Sequence, residues 1–227
     1  MTDKPMSGRP SAGAGRRRVT ATERERRIQS EQAQEMIRMT RELVYERGIS
    51  AANVREIARR SKVALGWPDW LFGSKGRLLV EVLRFDHDLR LDVLRKRLEG
   101  AGTRAELVEA AEWTLRAFLD ERTLRGNSEL MAEITRLAID DEEVANRRGE
   151  LRREYRDVLA RVLGDKQREG VVRLMGHATS VAALLIALAQ GLAVEITADR
   201  GWRPEETIAD ARVLIEALLS EPRAGGK

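Results

Sequence analysis

Residues 48–79 read GISAANVREIARRSKVALGWPDWLFGSKGRLL and contain the boundary signals of two short helices. Gly48 is typical of the end of a preceding helix, and Asn53 is typical of a helix N-cap. A first short helix is therefore expected over residues 54–61, and a tight connection leads to a second one that ends near Phe72. Two short helices joined by a small turn predict a helix-turn-helix unit.

One longer helix precedes this unit, with an expected start near Thr22 and an expected end at Gly48. Its inner face is expected to carry Met36, Ile37, Thr40, Leu43 and Val44. The three helices together predict a small domain over residues 22–73. Residues 1–21 contain proline and glycine but almost no large apolar side chain, so they are expected to form a flexible basic arm.

Helical spacing of apolar residues continues through the rest of the chain. Ser74 is expected to cap a long helix from Lys75 to about Glu99, closed by Gly100, and Thr103 with Glu106 forms a capping box for the next helix. Later helices are expected over residues 128–139, 141–169, 176–198 and 204–220, and no segment alternates as a strand would. The sequence predicts an all-α fold of about nine helices, with a second helical domain over residues 74–221 and a flexible tail over residues 222–227.

Positive charge is concentrated at one end of the chain. Residues 1–77 carry 17 Lys or Arg against 9 Asp or Glu, a net charge of +8, whereas residues 78–227 carry 24 against 28, a net charge of −4. Arginine-rich usage on solvated helix faces would not by itself produce this polarity. The asymmetry indicates a polyanionic partner for the N-terminal part, because phosphate contacts supply most sequence-independent affinity for nucleic acids.

Composition excludes several classes of chemistry. The chain has no cysteine and only two histidines, so we expect no thiolate nucleophile, no disulfide, no metal site and no cofactor. The acidic run over residues 140–143 fits the start of a helix better than an acid/base pair, and an enzyme is not expected. The N-terminus lacks the apolar core of an export signal, and the apolar stretch over residues 181–189 is too short to span a bilayer, so a cytoplasmic protein with no membrane partner is expected.

The stretch over residues 48–79 resembles the DNA-binding domain of the TetR family of transcriptional regulators. The positions that match the family pattern without a gap are Gly48, Asn53, Ile57, Ala58, Val63, Gly66, Phe72, Ser74, Lys75, Leu78 and Leu79. The resemblance implies a homodimer that binds a palindromic operator in double-stranded DNA, most often as a repressor. It also implies that residues 74–221 bind a small-molecule effector and form the dimer.

The resemblance and the charge pattern together give the candidate DNA-binding residues: Arg16, Arg17, Arg18, Asn53, Arg55, Ala64, Leu65, Gly66, Trp67, Asp69, Trp70 and Lys75. The three arginines of the arm either enter a minor groove or belong to a solvated tail. Asn53 and Lys75 either contact phosphates or serve as a plain cap and a solvated charge. The two tryptophans either contact DNA or complete the small core.

Residues 67–72, WPDWLF, depart from the family pattern where DNA would be read. Pro68 cannot donate a backbone hydrogen bond, so the recognition helix is expected to begin late, with Pro68 as its first residue. Asp69 occupies a position where the family commonly has a tyrosine that contacts phosphate. A carboxylate there repels phosphate unless it accepts a hydrogen bond from a cytosine amino group.

The family resemblance also gives candidates for an effector cavity and for a dimer interface. The candidate cavity residues are Trp113, Phe118, Met131, Ile134, Arg136, Tyr155 and His177. Arg136 interrupts a mostly apolar face between Ile134 and Leu137 and would favour an anionic ligand if it faced inward. The candidate interface residues are Leu184, Leu188, Gly191, Leu192, Leu214 and Leu218. The alternative function is a protein of the same fold that has lost or altered its DNA binding and acts as an interaction module.

Overall fold

The computed structural model describes Ile28, residues 30–199 and residues 204–222. This part of the chain contains nine α-helices and one pair of very short strands, so the expectation of an all-α fold is confirmed. The helices are α1 Glu31–Arg47, α2 Val54–Arg60, α3 Trp67–Phe72, α4 Lys75–Gly100, α5 Arg104–Leu119, α6 Glu121–Asp140, α7 Glu142–Arg168, α8 Ala178–Ala198 and α9 Pro204–Leu218. Helix α1 begins at Glu31 and not near Thr22 as expected, because the Ser30 side chain accepts a hydrogen bond from the Ala33 N–H and caps it there. Thr22 itself lies outside the described residues.

Local capping signals set the boundaries of the helix-turn-helix unit. The Asn53 side chain accepts a hydrogen bond from the backbone N–H of Glu56 at 3.0 Å and so starts α2. Gly48, which ends α1, has φ +83°, a backbone conformation that glycine adopts without strain. Pro68 is the second residue of α3, one position later than expected, and the helix has only six residues.

The capping box predicted for α5 is present, because Thr103 and Glu106 each accept a hydrogen bond from the other's backbone N–H. Two expectations downstream were wrong. The helix expected from residue 128 begins at Glu121, since the Asp120 side chain accepts from the Thr123 N–H and starts the helix earlier. The last helix ends at Leu218 instead of Ser220.

The residues directly after α9 form a short strand, although the sequence predicts none. Strands β1 Arg173–Leu174 and β2 Leu219–Ser220 pair antiparallel, with Leu174 opposite Leu219. A two-residue strand is too short for an alternating hydrophobic pattern to reveal it. The pairing holds the loop before α8 against the end of α9.

The buried apolar residues form two clusters, which α4, α6 and α7 connect. The head core contains Met36, Leu43, Ile57, Phe72, Leu79, Leu83, Leu130, Ile134, Val144 and Leu151. The body core contains Leu94, Leu98, Leu107, Leu115, Leu159, Leu163, Val181, Ala182, Ile208 and Ile215. Because one long helix, α4, contributes its first half to the head core and its second half to the body core, a movement in the body can reach the helix-turn-helix unit through it.

Candidate nucleic-acid interface and internal cavity

The connection before α3 and the first turn of α3 present an exposed surface. Ala64, Leu65, Gly66, Asp69 and Trp70 are all exposed. Pro68, which lies between them in the sequence, is buried. The side chain of Trp67 lies outside the described part of the chain. The structure therefore brings together, on one surface, the residues expected to face base edges.

Most lysine and arginine side chains around this surface form ion pairs. Arg59 donates two hydrogen bonds to the Glu56 carboxylate, at 2.7 and 2.6 Å, and these bonds lower the pKa of Glu56. Lys75 Nζ lies 3.5 Å from the Glu133 carboxylate on α6. Arg55 is exposed and forms no ion pair with any described residue. Arg55 is therefore the candidate cation best placed for a phosphate, whereas Lys75 must leave Glu133 to reach one.

Asn53 is exposed at the N-terminus of α2 and caps it, as described above. The cap occupies its side-chain oxygen and leaves the amide nitrogen near the Ala51 carbonyl at 3.4 Å. The arm arginines Arg16, Arg17 and Arg18 lie outside the described residues.

An internal cavity of about 370 Å³ lies within the body, between α4, α5, α7 and α8. Among the candidate cavity residues, Trp113, Phe118 and Tyr155 line it. The Arg97 guanidinium stacks on the Trp113 ring at 3.7 Å and holds this half-exposed indole in place. Leucines from every surrounding helix make the rest of the wall mostly apolar, as is typical of a ligand site.

The other four candidate cavity residues lie elsewhere. Ile134 and Met131 belong to the head core, Ile134 fully buried and Met131 packed against it. Arg136 points to solvent and pairs with Glu133 at 2.9 Å. His177 is exposed at the N-cap of α8. The structure does not bring any of these four to the cavity.

One end of the cavity is polar. His87 and Tyr155 are in ring contact there, with their centroids 5.1 Å apart. Burial, reinforced by repulsion from Arg90, lowers the pKa of His87 to about 4, and burial raises the pKa of Tyr155. Both rings are therefore neutral near pH 7. Arg152 also lines this end and donates to the Gln190 amide oxygen at 3.0 Å.

A hydrogen-bonded network links the cavity wall to the helix-turn-helix unit. Arg90 donates to the Tyr45 hydroxyl at 2.8 Å and to the Asn127 amide oxygen at 3.3 Å. The Tyr45 hydroxyl donates to Asp86 at 2.6 Å, and Arg41 also donates to this buried carboxylate. Since Arg41 and Tyr45 lie on α1, the network joins the first helix of the head directly to a cavity residue.

The apolar helix α8 is poorly covered by its own chain. Of its 21 residues only Val181, Ala182 and Ala193 are buried. Leu184 on α8 and Leu214 on α9 are each 54% exposed, and Gly191 is exposed, with no atom beyond its own stretch of helix within 4 Å of the position a Cβ would take. The remaining candidates, Leu188, Leu192 and Leu218, are half-buried against the body core.

By length and composition, α8 could also cross a membrane, and it is the one helix among the described residues that could. A helix at a subunit interface has the same composition, because both environments exclude water from its exposed side. Within the described residues, no group of histidine, aspartate and glutamate side chains could hold a metal ion.

Sequence reasoning missed the polar residues of the cavity: His87, Arg90, Arg152 and Gln190. A signal was present in α4, where Asp86 and Arg90 follow Leu79 and Leu83 at the helical spacing of the inner face. Polar residues at core-facing positions are rare unless they are paired or functional. The pairing partner Tyr45 lies 41 residues from Asp86, which no local pattern reveals.

Several solved structures have a fold similar to that of this chain. A transcriptional regulator from Rhodococcus sp. Rha1 has 25% sequence identity to this chain, covers 83% of it over 96% of its own length, and has a TM-score of 0.63. A TetR-family regulator from Mesorhizobium loti has 17% identity, covers 83% of this chain over 96% of its own length, and has a TM-score of 0.64. The chain therefore has the fold of the TetR family of transcriptional regulators, as its helix-turn-helix motif predicted.

A third similar structure was solved with a small molecule. It is a transcriptional regulator from Saccharomonospora viridis in complex with choline, with 18% identity, coverage of 85% of this chain over 94% of its own length, and a TM-score of 0.60. No protein-family model matches the sequence, and no curated protein matches it.

Proposed function

We propose that this protein is a cytoplasmic transcriptional regulator that binds a palindromic operator as a homodimer and responds to a small-molecule effector. The observation that carries the proposal is the exposed surface formed by Ala64, Leu65, Gly66, Asp69 and Trp70 on a TetR-type head, at the basic end of the chain. The repressor role follows from the family resemblance. In this proposal residues 22–73 form the DNA-binding domain, and residues 74–221 bind the effector and form the dimer.

Two features of the body support the dimer and the effector. The exposed apolar face of α8 and α9 can be removed from water by a second copy, which also gives the two heads the two-fold symmetry of a palindrome. This dimer is our reason for preferring a subunit interface to a membrane span for α8. The cavity can hold a small molecule, and the S. viridis regulator with choline shows a protein of this fold in complex with one.

Selection of bound duplexes from random DNA tests the proposal. We expect a two-fold symmetric sequence whose affinity falls by roughly 10³ or more between 50 and 200 mM salt, if six or more phosphates are contacted. Replacing Arg16, Arg17 and Arg18 by Ala should weaken binding without changing the preferred sequence. The matched control is the double variant Arg95→Ala and Lys96→Ala, which removes exposed cations from the far end of α4.

Failure to enrich any sequence would overturn the regulator proposal. The alternative is then an interaction module with a TetR-type fold, and the exposed carboxylate of Asp69 on the reading surface is the observation that favours it. A sequence preference altered by the arm variant would instead show that the arm reads bases directly.

A further inference from the structure

The lining of the cavity favours a mostly apolar ligand. Its volume of about 370 Å³ lies in the lower part of the range found for small-molecule sites. Phe118, Leu159 and Leu188 contribute to a wall that offers few polar partners, so most of a bound ligand must be apolar.

Charge at the polar end of the cavity is unbalanced. Three guanidinium groups line the cavity, those of Arg41, Arg90 and Arg152. The one carboxylate in contact with them among the described residues is Asp86, which bonds Arg41 and lies 3.8 Å from Arg90. Glu42 also acts on Arg41, so the two carboxylates leave one positive charge over at the polar end.

Nearby groups do not cancel this excess. Arg152 makes its hydrogen bond to Gln190, a neutral amide, and forms no ion pair with a described residue. Glu154, two positions along α7, is bound by Arg84 at 3.0 Å. Only a few of the guanidinium N–H groups of Arg90 are used, by Tyr45 and Asn127, so others can donate to a ligand.

We propose that the cavity binds a small, mostly apolar monoanion, such as a medium-chain carboxylate, with its charged group at Arg90 and Arg152. The inference rests on the proposed function for its role as the effector site. An anion gains charge-assisted hydrogen bonds from guanidinium groups already held in place by Tyr45 and Gln190. A cation would instead meet the guanidinium groups of Arg90 and Arg152, and Arg152 has no carboxylate partner among the described residues.

Calorimetric titration of the full chain with three matched probes tests this charge preference. The probes are decanoate, decanol and decyltrimethylammonium, each used below its micelle concentration. We expect decanoate to bind at least tenfold more tightly than decanol, and the ammonium probe to bind more weakly than either, since a hydrogen bond to a charged group contributes roughly a tenfold factor or more. Equal binding of the three probes, preference for the cation, or no binding of decanoate would overturn the proposal.

Two variants of neighbouring arginines locate the anion. Arg152→Gln should weaken decanoate binding about tenfold or more, because it removes a charge that bonds the carboxylate. Decanol binding should not change, because Arg152 is exposed and the core does not depend on it. Arg153→Gln is the matched control, since Arg153 is the next residue on α7, is exposed, and does not line the cavity. Equal effects of the two variants on decanoate would overturn the assigned position of the anion.

The titration tests the proposed ligand class independently of the proposed regulator function. Decanoate binding is measured without DNA, so an operator found together with no decanoate binding overturns only the ligand class. Decanoate binding with no selected operator supports the ligand class and overturns the proposed function.

Discussion

Asp69 is the clearest departure from the TetR-family pattern on the exposed surface formed by Ala64, Leu65, Gly66, Asp69 and Trp70. It is exposed in the first turn of α3, where helix-turn-helix proteins meet base edges. There it can accept a hydrogen bond from a cytosine amino group, a contact that contributes about 1 to 3 kcal/mol of discrimination. A carboxylate in this position also repels any phosphate nearby.

The two roles of Asp69 predict different outcomes for Asp69→Ala. We expect the variant to lose its preference at one symmetric pair of operator positions, measured against a library of single-base substitutions. Glu109→Ala, an exposed carboxylate on α5, is the control and should bind like the unmodified protein. Uniform tightening on all sequences would mean that Asp69 only repels the backbone.

His87 makes stability depend on pH. Burial, with repulsion from Arg90, lowers its pKa in the folded state to about 4, below the value near 6.5 of an unfolded chain. The unfolded state then binds more protons between these values, so the contribution is complete above pH 6.5 and is lost as the pH falls towards 4. Denaturant unfolding at several pH values should give a contribution of about 3 kcal/mol between pH 7 and pH 4.

Carboxylates titrate in the same pH range as His87. The contribution of His87 is therefore measured as the difference in the free energy of unfolding between a variant and the unmodified protein. His87→Phe should flatten the pH dependence of the free energy of unfolding by about that amount relative to the unmodified protein. His177→Phe, at an exposed position, should retain the full dependence. Parallel curves for the unmodified protein and His87→Phe would contradict the prediction.

At the scale of elements, α8 and α9 present more apolar surface than a monomer leaves exposed. Leu184 and Leu214 are about half exposed, and Val194 and Val213 are more so. Leu188 lines the cavity, so a charge at that position would also disturb the ligand site. Leu184 therefore gives the cleaner test of the interface.

Leu184→Arg places an unpaired charge in the proposed interface without entering the body core. Because a buried unpaired charge costs about 3 to 5 kcal/mol, the dimer should weaken by at least about 100-fold, which sedimentation would record as monomer. Ile139→Arg, at the 79% exposed end of α6, is the control and should stay dimeric. A dimeric Leu184→Arg protein would place the interface on another surface.

At the scale of the whole molecule, the two cores communicate through shared helices and one polar network. Arg90 lines the cavity and also donates to Tyr45 on the first helix of the head. An anion that attracts Arg90 competes with this bond and with Asp86, so its binding can alter how α1 sits on α4. The fold therefore contains a short physical route from the cavity to the first helix of the head.

The sequence by itself determined the helix-turn-helix unit, the all-α class and most helix ends. These features depend on signals within a few residues, such as the Asn53 cap, the Thr103 capping box and the positive φ of Gly48. The early start of α6 at Glu121 was missed although Asp120 is a common N-cap residue. The strand pair escaped because a two-residue strand carries little local pattern.

Only the tertiary structure decided which polar residues meet in the interior. His87 lines the cavity and His177 does not, and Arg90 faces inward whereas Arg136 faces solvent, although both arginines lie beside apolar residues in the sequence. The physical reason is that a cavity forms where several helices meet, and its lining depends on contacts between residues far apart in the chain. Helical periodicity tells which face of one helix is buried, but it does not tell which other helix covers that face.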